Sequence, residues 1–319
     1  MRNWENGTYK PRTLDLQWRL AEELRITRRQ LAQRFLATDD ALACSITPNR
    51  HRSHPLRLDT VFEQALQSEE SDRLTWAMHS PNSVDQATLG FLSRALTFVR
   101  RLEDDTSSAM VVSSVRELHS VADAFAREAR LNVRRQAAGL LSEMEQYRGW
   151  LAIPSRDWVT ARRHLDRAAV VALESDDPLR LSAALSFAAY SAIRRFDFSS
   201  ADALSEAAQR DGRVDPGLRT YEIFERAEIL ARLGLRNKSV RQLLTTDHLV
   251  ENLPDEEDLP ASGYWYTPPF FLGQKAFVLH ALGNPSGSRQ AALDCLAEMS
   301  PGWAGSEWAA RRRELAHAD

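Results

Sequence analysis

The stretch DPLRLSAALSFAAYSAIRRFDFSSADALSEAAQRDGRVDP, residues 177–216, decides the fold. It opens and closes on the same dipeptide, Asp177-Pro178 and Asp215-Pro216, 38 residues apart. An aspartate at an N-cap accepts the free amides of a first helical turn, and a proline at the next position gives up no hydrogen bond there. Each pair therefore marks a helix start. Between them the apolar residues recur at helical spacing, and small residues stand at Ala189, Ala201 and Ala208 around Phe198. Closely crossing helices admit only Gly, Ala or Ser at the contact, so the stretch reads as one helical hairpin.

The same offsets recur along the chain. Gly149, Ala161 and Ala168, with Trp158 at the turn, form one copy before it; Ala227, Gly234 and Ser239 form a third, and Ala276, Gly283, Ser288 and Cys295 a fourth. Gly234 and Gly283 both fall where the inter-helix turn belongs. A two-helix unit near 34 residues with small residues at its crossing is the tetratricopeptide pattern. Upstream, Asp59 to Leu66, Asp72 to Met78, Val84 to Leu102, Met110 to Arg130 and Asn132 to Trp150 show i, i+3, i+4 apolar spacing, and no run alternates β-branched residues. The expectation is an all-α chain: a tetratricopeptide-like helical-hairpin solenoid over 58–319, whose last helix, Glu307 to Ala316, reads as a terminal cap or as the start of an unfinished repeat. Between the third and fourth copies an acidic loop (Glu251 to Asp258) leads into Tyr264-Trp265-Tyr266 and Phe270-Phe271. It reads first as an insertion whose aromatics close the gap between hairpins, with a binding lip as the other reading.

The amino-terminal stretch differs. Arg2-Asn3-Trp4-Glu5-Asn6-Gly7, then Pro11, then Leu20-Ala21-Glu22-Glu23-Leu24 and Arg25-Ile26-Thr27 read as a helix end, a tight turn and a new amphipathic helix. Residues 1–36 carry eight basic and four acidic side chains, on a chain whose net charge is −3. Residues 37–57, with Pro48 and Pro55 and no periodicity, read as a linker. This order of turn, proline and Leu-Ala-x-x-Leu helix resembles the rear of the phage-repressor (Cro/C1, XRE) helix-turn-helix family over Met1 to Leu31, with one extra residue between Pro11 and Leu20. In that family the base-reading helix and the helix before it form the front half. Here both would lie upstream of Met1. What the resemblance leaves for this chain is phosphate contact: Arg2 and Asn3 at the end of the recognition helix, and Thr8, Lys10 and Arg12 beside it.

The whole plan resembles actinobacterial-type regulators that join such a head to a tetratricopeptide body, a likeness carried by Arg-Asn-Trp-Glu-Asn-Gly, by Phe98 to Asp104 and by Glu143 to Leu151. The resemblance implies transcriptional regulation, with DNA as partner where the missing upstream helices are present, and a peptide, small molecule or protein sensed by the body. A homodimer would set the spacing of two heads. The other reading is a truncated scaffold or adaptor that recognises only proteins.

The sequence offers little to catalysis. It lacks a phosphate loop, a G-x-S-x-G elbow, H-E-x-x-H and C-x-x-C; His51 and His54 stand without further ligands; and the pairs Asp104-Asp105 and Asp176-Asp177 sit at expected helix ends, where capping explains them. No enzyme, metal or cofactor is expected. Two distant cysteines, Cys44 and Cys295, and a most apolar run (Ala183 to Ile193) of half a membrane span suit a reduced, cytoplasmic setting without a membrane partner. Binding is the better lead. The first helix of each hairpin should line a groove through Gln146 and Trp150, then Ser186, Tyr190 and Arg194, then Tyr221, Phe224, Glu228 and Arg232, and last Phe277 and His280. Aromatics among arginines can hold a ligand by stacking and charge-assisted hydrogen bonds.

Overall fold

The computed structural model describes residues 57–317 apart from 256, 257, 260, 301, 304 and 305. The readings placed on Arg2, Asn3, Thr8, Lys10 and Arg12, on the head over 1–36 and on all but the last residue of the linker lie outside them. Among the described residues there are thirteen α-helices and no strand. They are α1 (Leu58–Ala65), α2 (Ser68–His79), α3 (Gln86–Asp105), α4 (Ser108–Glu128), α5 (Leu131–Ala152), α6 (Trp158–Glu174) and α7 (Pro178–Arg194). After these come α8 (Phe198–Ala208), α9 (Pro216–Arg232), α10 (Arg236–Glu251), α11 (Pro268–Ala281), α12 (Pro285–Glu298) and α13 (Glu307–Ala316). No helix among these residues is long and apolar enough to cross a membrane.

Four hairpins, α5–α6, α7–α8, α9–α10 and α11–α12, follow the expected register. Both Asp-Pro pairs act as read: Asp177 accepts from the Arg180 amide at 3.1 Å and Asp215 from the Leu218 amide at 2.9 Å. At Gly149 an added Cβ would lie 2.6 Å from Leu165 Cγ, so only glycine lets α5 and α6 cross there. In the other three hairpins the equivalent pairs are Ala189 with Ala201, Ala227 with Ser239 and Ala276 with Ser288, all fully or nearly fully buried. Ser239 and Ser288 donate to the Ala227 and Ala276 carbonyls at 2.8 and 2.9 Å. Ser142 and Ser182 do the same across the first two hairpins, to Ala168 and Ala208.

The inter-helix turn is the same device four times over. Arg156, Phe196, Gly234 and Gly283 all have positive φ, between 58° and 78°. The next amide closes a wide turn on the preceding helix in each case: Asp157 to Ala152, Asp197 to Ala192, Leu235 to Leu230 and Asn284 to Leu279, at 2.8–3.0 Å. This left-handed stop satisfies carbonyls that the helix end would orphan. Two of the four positions are not glycine, which is why the turn was legible in the sequence only in the third and fourth copies.

Upstream, α1 to α5 enclose one apolar core through residues such as Leu92, Leu96 and Val99 of α3, Leu118 and Phe125 of α4, and Met144 of α5. Full burial of each such side chain contributes about 1.5–3 kcal/mol. Two carboxylates of α5 are buried with their partners. Glu143 pairs with Arg100 at 2.5 Å and Arg180 at 3.0 Å, and Glu145 accepts from His119, His164 and Arg167 at 2.5–2.8 Å. Burial alone would raise Glu145, but the two imidazole hydrogen bonds hold it down at about 2. These networks join α3 to α7 and α4 to α6 through α5.

The segment after α10 both closes a gap and forms a lip. Tyr266, Phe270 and Phe271 are buried against α9, with Tyr266 packed so tightly on Gly217 that a Cβ there would sit 2.8 Å from it. Tyr264 and Trp265, together with Tyr266 and Phe270, also line a cavity.

Candidate functional site

That cavity encloses about 730 Å3 of atom-free space, its mouth included. It draws on α3, α5, α7, α9, α11, α13 and the 264–266 segment. Of the residues read from the sequence, Gln146, Trp150, Tyr190, Tyr221 and Phe277 all line it. The remaining six lie elsewhere, Ser186 fully buried. Phe224 is a correction: it is 2% exposed and stacked on Phe271 at 5.6 Å, in the core between α9 and α11. Phe224 shares a face of α9 with Tyr221 three residues before it, but Phe271 covers Phe224 while Tyr221 reaches the cavity. Glu228 and Arg232 meet each other at 3.5 Å one turn apart on α9, and His280, Arg194 and this pair lie outside the cavity lining. Burial and then the Arg232 charge lower the His280 imidazole from its ordinary value.

The cavity's walls are aromatic. Trp150 meets Phe187 edge-on at 5.7 Å and Tyr190 at 5.8 Å, Phe187 leads to Tyr221 at 6.4 Å, and Tyr221 stacks on Tyr266 at 5.9 Å. Phe270 then meets Trp308 of α13 at 5.6 Å. Rings in such edge and offset contacts hold one another rigidly and leave π faces for a ligand.

One wall is acidic. Arg100, Glu103 and Asp104 share a face of α3, being three and four residues apart. Arg100 is committed to Glu143 and lies over the Tyr147 ring at 5.1 Å. Glu103 accepts from the Tyr147 hydroxyl at 3.0 Å and the Trp150 indole at 3.2 Å, while Asp104 accepts from the Tyr264 hydroxyl. Burial, with the neighbouring Asp104 charge, pushes Glu103 up to about 7, and burial pushes Asp104 up to about 6. The capping role read for Asp104 is therefore overturned. It stands in the last turn of α3, where the helix dipole disfavours a negative charge, and its partner is a tyrosine 160 residues away.

Another wall is basic and lies on α13. Arg312 is fully buried, donates to the Trp308 and Phe270 carbonyls at 2.8 and 3.3 Å, and lies over the Trp308 ring at 4.4 Å. Burial lowers its guanidinium to about 10. Gly273 makes room for it, since a Cβ there would meet its Nε at 1.7 Å. Arg311 lies over Phe277 at 4.1 Å and donates to the Tyr190 hydroxyl at 3.3 Å.

Sequence reasoning missed the acidic and basic walls. One signal was present for the first: the apolar stripe Leu92, Leu96, Val99 of α3 continues at helical spacing onto Glu103, so a charged residue extends a buried face. Arg311 and Arg312, in a run of three arginines, read as surface and carried none.

Among the described residues no His/Cys/Asp/Glu group has a metal-binding arrangement. No protein-family model matches the chain, and no curated protein shows significant similarity to it.

Proposed function

We propose that the protein is a ligand-responsive transcriptional regulator: a tetratricopeptide-like body holds a small molecule in the aromatic cavity and so sets the DNA-binding state of a phage-repressor-like head. The observation that carries the sensing half is the cavity itself, to which six helices and an inter-hairpin segment contribute. A ligand held there contacts elements from α3 to α13 at once. An occupant that binds one arrangement of those elements better than another shifts the balance between them. The basic charge of residues 1–36 and their likeness to the rear of a helix-turn-helix support the DNA half. A homodimer would space two heads for a two-fold operator.

The test is a mobility-shift titration on DNA from the protein's own promoter region. It uses the 319-residue chain and a form extended by whatever coding sequence lies in frame upstream. The extended form should retain the DNA and the shorter form should not. Retention by the shorter form would place the base-reading residues within Met1 to Leu31, against the reading of that stretch as a rear half. Failure of both forms would leave the body as a scaffold for protein partners.

A further inference from the structure

The polar atoms that the cavity leaves unanswered are donors. Among the described residues lining it, the buried side-chain atoms without a hydrogen-bond partner are the Nε atoms of Arg100 and Arg312. A buried N–H with no acceptor keeps the cost of its lost water, and an occupant that carries acceptors removes it. At Arg100 only a donor is left over, because Glu143 answers the charge. At Arg312, fully buried, no carboxylate comes within ion-pair distance among the described residues. Its terminal nitrogens donate to the neutral carbonyls of Trp308 and Phe270, and its guanidinium lies over the rings of Trp308, Phe270 and Phe277. The titratable groups that act on it most strongly are Cys295, Arg311 and Tyr190. Arg311 brings a like charge, and burial raises the Cys295 thiol above its ordinary value, so the thiol supplies no anion near neutral pH.

The carboxyls on α3 have a release from burial that a guanidinium lacks. Glu103 faces Arg100 and Asp104 on its own helix and Tyr147 and Trp150 on α5; Asp104 faces Arg100, Arg101 and Asp105 on α3, and Tyr264 from the segment before α11. Burial pushes them up to about 7 and about 6, so each sheds its charge by taking up a proton, whereas Arg312, at about 10, keeps its own. Near neutral pH the charge that the cavity leaves without a partner is therefore positive. The rings of Trp150, Phe187 and Trp265 line the same cavity, and none of them lies under a guanidinium among the described residues. They offer an apolar body a place beside that charge.

We propose that the cavity binds a small organic carboxylate, with its anionic group on Arg312 and its apolar or aromatic body against Trp150, Phe187 and Trp265. The inference rests on the reading of the body as a ligand sensor and names the class of ligand that site takes. The two carbonyls occupy only part of the fork of N–H groups that a guanidinium presents, and a planar carboxylate fits the remainder. An anion in the cavity also favours the protonated forms of Glu103 and Asp104, so binding takes up protons near neutral pH.

Three probes of like size decide the point: 3-phenylpropionate, 3-phenyl-1-propanol and 3-phenylpropylammonium. Each is titrated calorimetrically into the full chain at pH 6 and pH 8, with tryptophan fluorescence reporting occupancy next to Trp150, Trp265 and Trp308. At pH 6 the carboxylate should bind saturably and at least ~10-fold more tightly than the other two, and it should weaken at pH 8, where Glu103 and Asp104 are ionised. Arg312→Gln, its fold checked by circular dichroism, should lose about 10-fold for the carboxylate and leave the alcohol unchanged. Glu103→Gln tests the same charge without touching the buried arginine: it should tighten the carboxylate about 5-fold at pH 8 and reduce the difference between the two pH values. Equal or tighter binding of the alcohol or the ammonium, or a carboxylate affinity that Glu103→Gln leaves unchanged, would overturn the assignment of charge while leaving the cavity as the ligand site. Absence of saturable binding by all three would remove both.

Discussion

At the scale of single residues, stability and site chemistry meet in Glu103. Its carboxyl is raised from 4.5 to about 7, chiefly by burial, so the folded state favours the protonated form. The stability this confers is complete below about pH 4.5 and is lost as pH rises through about 7. Glu103→Gln should therefore be more stable than the parent at pH 8, by on the order of 1–3 kcal/mol, and no more stable at pH 4. Urea denaturation at the two pH values measures this, and equal curves at pH 8 would contradict the buried carboxyl. Glu143 behaves oppositely. Burial opposes its charge, but Arg100 and Arg180 hold its carboxyl below the ordinary range. Glu143→Ala leaves the buried Arg100 without its anion and Arg180 with Asp177 alone, and should destabilise by about 3–5 kcal/mol in the same assay. At Gly273, alanine would drive its Cβ into the fully buried Arg312, and a loss of about 1–3 kcal/mol is expected from overpacking.

At the scale of elements, the hairpin turn explains which residues the copies share and which they vary. The turn needs a left-handed residue seven positions after the crossing residue, and glycine meets that need without strain at Gly234 and Gly283. Arg156 and Phe196 hold the same conformation with a Cβ, and so carry strain that the rest of the hairpin offsets. Arg156→Gly should stabilise by about 0.5–1 kcal/mol, whereas Gly234→Ala should destabilise by about 1 kcal/mol, both read from thermal unfolding. The opposed signs at equivalent positions discriminate a shared turn from two unrelated loops. Four copies of one turn therefore coexist with little sequence identity, because the backbone sets the requirement and several side chains tolerate it.

At the scale of the whole molecule, the cavity depends on contacts of long reach. Tyr264 meets Asp104 across 160 residues and Arg311 meets Tyr190 across 121, so an occupant reports on the relation of distant helices. A ligand held at about 100 times its dissociation constant should stabilise the body by about 2.7 kcal/mol. Hydrogen exchange should then slow at the end of α3 and along α13 together. Protection confined to one of the two would contradict a ligand that joins them.

Much of this architecture is legible in the sequence alone. Capping and crossing are local requirements, met by residue types at fixed spacing: Asp177-Pro178 and Asp215-Pro216 start helices wherever they stand, and a small residue twelve positions before another suffices for a hairpin. The same periodicity brought Gln146, Trp150, Tyr190, Tyr221 and Phe277 onto one side, and they do line one cavity. Periodicity says which face a residue occupies, not which neighbour that face meets. It therefore could not separate Tyr221 in the cavity from Phe224 in the core, nor show that Glu103 and Arg312 face the same space from helices some two hundred residues apart. Only the tertiary structure decided that, because the charge of a carboxyl is set by what surrounds it, and here the surroundings come from the far end of the chain.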